Sequence, residues 1–324
     1  MPFALTYARL SAGVLFLAWL LSGCSTLDST ALIKHPPTGL ATRAELTDTP
    51  FFPQEEYQCG PAALATVLKA KGRDITPTEV AKQVFLPNRK GSLQVEMRAA
   101  TRRQGMLAVT MSGRVKDLLT EVSGGNPVIV LQNLALSWYP AWHYAVVVGY
   151  DLAAGNITLR SGREERQVMA LTTFERTWKR SNYWAISVVP PNDVPKTATR
   201  ESFIASALEM EKTQQPMLAE IAYAAALQRW PGDLPALVGL GNSRYAQANF
   251  SGSEQAFRQA TIDHPEAIIG WNNLAEVLAE LRRMPEALSA AEHAASLDGP
   301  NKAAAVETRD SIRKKIAEQP GAAQ

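Results

Sequence analysis

Residues 51–68 read FFPQEEYQCGPAALATVL, and the cysteine at position 59 decides how the chain folds and what it can do. Ala62, Leu64, Ala65 and Leu68 recur at helical spacing and the run stops at Gly72, so the pattern predicts a helix that opens at Cys59. Pro61 presets the first turn, and Gly60 leaves the backbone room beside the sulfur. A thiol at such a start faces unpaired backbone N–H groups and the positive end of the helix dipole, which favour thiolate. Burial as an inert core residue is the commoner fate of a lone cysteine. The polar glutamines Gln54 and Gln58 around it, and the export signal described next, weigh against that fate.

Arg9 is followed by LSAGVLFLAWLLSGC, an apolar run too short to span a bilayer comfortably and placed like a secretory signal. It ends in Leu21-Ser22-Gly23-Cys24, which resembles the lipobox of bacterial lipoproteins. The resemblance implies a signal peptide over residues 1–23 and a lipidated Cys24 as the new N-terminus. It also implies outer-membrane sorting, since Ser25 rather than Asp follows, with the body of the protein in the periplasm. Only two cysteines exist, so lipid on Cys24 leaves Cys59 without a disulfide partner.

The 324 residues are 46% hydrophobic, enough for about two domains. The formal charge of +2 gives no field that argues for nucleic acid or an acidic membrane surface. Residues 24–49 lack periodicity, carry Pro36-Pro37 and read as a lipidated tether. Over residues 50–190, helical patterns come first. One opens with Thr76, Pro77 and Glu79 as a capping box, and another runs through SLQVEMRAATRRQG. Strand patterns follow: MLAVTM, PVIVLQNL, HYAVVVGYD, NITLRSG, ERQVMAL and YWAISVVP, with two short helices among them. Helices packed on a mostly antiparallel sheet make an α+β domain.

Residues 191–200 are Pro-rich and read as a linker. Beyond them every pattern is helical and recurs at 34 residues, pairing Leu237 with Trp271, Leu240 with Leu274, and Phe257 with Ala291. This resembles the tetratricopeptide repeat, with units at about 201–232, 235–266 and 269–300 and a polar capping helix, giving a solenoid over 201–318. The first unit carries Ser206 where the repeat expects Leu. Such arrays offer a surface to a peptide or protein partner.

A nucleophilic thiol needs a base. Of the four histidines, His35, His143, His264 and His293, only His143 shares a domain with Cys59, and it opens the strand HYAVVVGYD. Gln-x-x-x-x-Cys-Gly-Pro-Ala followed about 85 residues later by His-Tyr-Ala-Val-Val-Val-Gly-Tyr-Asp resembles papain-like cysteine peptidases, most closely the bacteriocin-processing, double-glycine-leader peptidases. The resemblance implies a cysteine peptidase working through a thioester. Cys59 would be the nucleophile, His143 the general base and acid, and Gln54 the oxyanion donor.

Two departures from that family stand out. Its glutamine precedes the cysteine by six positions and Gln54 by five, which leaves Gln58 as an alternative. Its histidine is oriented by an Asp on the next strand, where this chain reads NITLRSGREE. Asn156 is a candidate amide substitute, with Ser161 nearer the family's position and Asp151 at the end of the histidine strand. Trp138, Tyr139 and Trp142 precede His143 and could wall a groove. No metal, phosphate-loop or dinucleotide motif appears, so no cofactor is expected. The same thiol chemistry would serve an amidase or transpeptidase, and loss of it would leave a scaffold.

Overall fold

The computed structural model describes residues 27–54, 58–89 and 91–318. The expected signal peptide and the expected lipidation site at Cys24 lie outside them. The chain forms α1 (Asp28–Lys34), β1 (Arg43–Glu45), α2 (Cys59–Ala70), α3 (Pro77–Val84), β2 (Phe85–Leu86), β3 (Gly91–Ser92), α4 (Gln94–Arg103), β4 (Leu107–Thr110), α5 (Val115–Ser123), β5 (Val128–Asn133), β6 (Trp142–Asp151), β7 (Asn156–Ser161), β8 (Glu164–Ala170), α6 (Leu171–Lys179) and β9 (Ala185–Val189).

Seven of these strands make one antiparallel sheet in the order β4-β9-β5-β6-β7-β8, with β1 paired to the far end of β6. Alternation along β5, β6 and β9 gives the sheet two apolar faces. Ile129, Leu131, Tyr144, Val146, Val148, Ile186 and Val188 pack under α2, α3 and α4. Val128, Val130, Ala145, Val147 and Ala185 pack under α5 and α6. The α3 start carries the expected capping box, with Thr76 and Glu79 bonding each other's backbone N–H. Gly149 is required where β1 approaches β6, because a Cβ there would lie 2.9 Å from the Ala44 carbonyl oxygen.

The reading of 24–49 as a tether is corrected from residue 27 onward. α1 lies on the domain because the buried Glu175 carboxylate accepts from the Asp28 and Ser29 backbone N–H groups at 3.0 and 2.8 Å. Leu32, Ile33, Leu40 and Ala44 then complete the second face. The segment is too short to show a period, and its partners are distant in sequence.

The linker reading of 191–200 is corrected too. Val194 and Ala198 pack into a core, and Thr197 donates its N–H and hydroxyl to the buried Glu121 at 2.6 and 2.7 Å.

Beyond it stand three helical pairs: α7 (Arg200–Lys212) with α8 (Pro216–Arg229), α9 (Leu234–Ala246) with α10 (Phe250–Asp263), and α11 (Ile268–Glu280) with α12 (Met284–Ser296). The capping helix α13 (Lys302–Ala317) follows. These are the three predicted units of a repeat solenoid. The first does not stand clear of the sheet. Leu107, Val109 and Val189 share one buried cluster with Phe203, Ala207 and Met210. Ser206, the departure from the repeat pattern, donates to the Ala108 carbonyl at 3.1 Å. A leucine there would meet the edge strand β4, so the odd residue marks where the array is welded to the sheet.

Candidate active site

β7 pairs with β6 only from Val146 onward, so the first residues of β6 keep that edge open. The start of α2 packs against it. Cys59, the first helical residue, brings its half-buried thiol beside the backbone N–H of Tyr144. Gly60 is needed here for a reason the sequence does not display: a Cβ would lie 2.6 Å from the Ser92 hydroxyl of β3. His143 precedes Tyr144 on the same strand, and Cys59, His143 and Gln54 line one cavity of about 1180 Å³. Gln54 is held there by its backbone, whose N–H donates to the Gly162 carbonyl at 2.9 Å in the β7–β8 turn.

Ser161 closes the constellation. Its buried hydroxyl lies 2.9 Å from Nε2 of His143. Asn156 is corrected as the orienting residue: it opposes Asp151 at the other end of the β6–β7 ladder. Asp151 lies eight positions along β6 from His143, roughly 26 Å of strand. Gln58 sits at the N-cap position of α2 and makes no side-chain cap bond.

The electrostatics also depart from the expectation of a thiolate. Burial raises the Cys59 thiol above its ordinary value, outweighing the backbone N–H groups of Tyr144, Gly60 and Cys59 itself that pull it down. Burial lowers His143 below its ordinary value. Both directions favour an uncharged thiol beside an uncharged imidazole. The helix start contributes as expected, but desolvation is the larger effect.

Several cavity residues carry no sequence signal. Arg163, Arg180 and Asn182 line the wall, and Asn182 does so from a left-handed backbone conformation at φ 54°. They come from the β7–β8 turn and from the end of α6, so only the folded sheet assembles them. Of the three aromatics before His143, Trp142 lines the cavity, whereas Trp138 and Tyr139 do not.

A cysteine opening a helix beside a strand-borne histidine, in one cleft with a glutamine, is the arrangement of papain-like thiol hydrolases. Residues 46–186 match the model of the Peptidase_C39 like family. Among solved structures, a Bacillus anthracis protein described as a C39-like peptidase is 18% identical, over 45% of this chain and 97% of that one, with a TM-score of 0.39. A double glycine motif protease from an AMS/PCAT transporter, in complex with the leader peptide, is 20% identical over 47% and 97%, with a TM-score of 0.37. The TPR domain of Arabidopsis OM64 is 19% identical over 36% and 96%, with a TM-score of 0.34. Comparison with curated proteins finds no match.

Proposed function

We propose that the chain is a periplasmic cysteine peptidase, anchored to the outer membrane through lipid on Cys24. The observation that carries this reading is the single cavity holding Gln54, Cys59 and His143, with Ser161 on the imidazole. The thiol proton passes to Nδ1 of His143 as sulfur attacks the scissile carbonyl carbon. The resulting oxyanion receives hydrogen bonds from the Gln54 amide and the Cys59 backbone N–H. As the C–N bond breaks, the imidazolium returns its proton to the leaving amine, and a thioester remains on Cys59. Water, deprotonated by the same imidazole, then releases the acid and restores the thiol. Ser161 accepts from Nε2–H and so fixes the tautomer that leaves Nδ1 basic.

The repeats recruit the substrate protein or a partner. Their own depression, about 370 Å³ and lined by Tyr245, Glu276, Glu280, Glu307 and Lys315, suits a cationic peptide segment.

The test is hydrolysis of a peptide library together with alkylation of Cys59 by iodoacetamide, read from the mass of the tryptic peptide. Cys59→Ala should abolish hydrolysis, and His143→Ala should slow alkylation of Cys59 to the rate of an ordinary thiol. Equal, slow alkylation in both wild type and His143→Ala would leave a scaffold in place of an enzyme.

A further inference from the structure

The nine residues between β5 and His143 contain no charge, and five of them expose large apolar side chains: Leu134, Leu136, Trp138, Tyr139 and Trp142. Trp138 is 80% exposed and Tyr139 73%, values far beyond those of a side chain packing a loop onto a domain. The loop holds this exposure by construction. The buried Asn133 accepts from the Ala135 and Ala141 N–H groups at 3.1 and 3.0 Å and donates to the Leu136 carbonyl at 3.2 Å. Arg180 donates to the carbonyls of Asn133 and Ala135. A braced turn presents its aromatic tip outward, and that tip lies outside the catalytic cavity.

The start of the described chain points the same way. α1 runs antiparallel to α6: Asp28 sits at Glu175 and Ile33 near Gly155, while Leu171 at the other end of α6 bonds Gly155. From Glu175 to Arg180, which grips the loop, is five helical residues, about 7.5 Å. Only residues 25–27 separate Asp28 from Cys24, so an acyl anchor there sits no more than about 14 Å from Asp28. An anchor at Cys24 would therefore be short.

We infer that the loop over residues 134–142 docks in the interface of the phospholipid bilayer that holds the anchor. Trp138 and Tyr139 enter the headgroup boundary, where amphipathic rings are favoured. The cleft then opens at the membrane surface, and its substrates are segments that lie along or emerge from that surface. This rests on the anchor proposed above for its orientation, and on the loop alone for its contact with lipid.

The experiment uses the full-length protein with vesicles of phosphatidylethanolamine and phosphatidylglycerol, some carrying acyl-chain bromines that quench nearby tryptophan. Wild-type emission should be quenched. Trp138→Phe should lose most of the quenchable part, and Leu136→Glu with Tyr139→Glu should lose it in a folded protein whose Cys59 still alkylates at the wild-type rate. Quenching that is absent, or unchanged in Trp138→Phe, overturns the proposal. So does a wall for substrate, seen as no quenching with a raised KM in Trp138→Ser. Acylation is read separately from the mass of the N-terminal peptide. A missing acyl group would sink the anchor, and the quenching of vesicle-bound or added protein would still decide the loop.

Discussion

Ser161 gives the sharpest test of the site, because the structure assigns it a contact that Asn156 was expected to make. Ser161→Ala removes the 2.9 Å contact to Nε2 of His143 and puts nothing in its place. A hydrogen bond of this kind contributes about 0.5–1.5 kcal/mol net. At about 1.4 kcal/mol per decade, losing it from the transition state lowers kcat roughly two- to tenfold. The loss should fall on kcat and not KM, since Ser161 acts through the imidazole and does not line the cavity. Ser161→Asn, which restores an oxygen acceptor, should recover part of it. Asn156→Ala removes a side chain about 26 Å along the strand from His143 and should leave kcat unchanged. Hydrolysis of the selected library peptide supplies both constants, and alkylation of Cys59 supplies an independent reading of base strength. A full rate in Ser161→Ala, or a loss in Asn156→Ala, would refute the assignment.

Three further outcomes follow from burial and packing. With His143 lowered from 6.5 and Cys59 raised from 9.0, activity should rise as pH passes upward through the histidine value, below 6.5, and stay level beyond 9. Ultraviolet thiolate absorbance at neutral pH, lost in Cys59→Ala, would instead mean a preformed ion pair. Ser206→Leu restores the repeat pattern but forces a larger side chain against β4. It should cost about 1–3 kcal/mol in denaturant unfolding, and a gain in stability would break the account of the weld. Glu175→Ala leaves the first two N–H groups of α1 without their acceptor, each worth about 1.5–3 kcal/mol, and should open residues 27–45 to limited proteolysis without abolishing the fold.

The larger elements were legible because their signals are local. The helix at Cys59, the capping box at Thr76 and Glu79 and the six strands rest on side chains within a few residues of one another, and the repeats rest on a pattern that recurs every 34 residues. What stayed hidden depends on distant partners. α1 and β1 are ordered by Glu175 and by the far end of β6, more than a hundred residues away. The strap before the repeats is ordered by Glu121. The choice between Asn156 and Ser161 turned on register. In an antiparallel pair, the end of one strand lies against the start of its neighbour, so the residue beside His143 belongs to the end of β7. The protonation of the thiol is hidden from the sequence for a related reason. A helix start can be read from sequence, but the walls that desolvate it come from β3, β6 and α4.

One buried apolar layer joins the catalytic sheet to the first repeat, and this changes how recruitment by the repeats can act. Tethered modules raise local concentration through a flexible linker, with a broad tolerance for the distance between two sites. Here Leu107, Val109 and Val189 pack directly on Phe203, Ala207 and Met210, and Thr197 is clamped to Glu121. A segment gripped by the array thus reaches the cleft along a path of fixed length and direction. Under the proposed function, selectivity would come from the span between the gripped segment and the scissile bond. Removing residues 200–324 would strip more than recruitment. It would expose three large side chains of the sheet edge, about 5–9 kcal/mol of burial, comparable to the whole stability of an ordinary domain. The repeats are a wall of the domain's core, and the cleft depends on them for its fold.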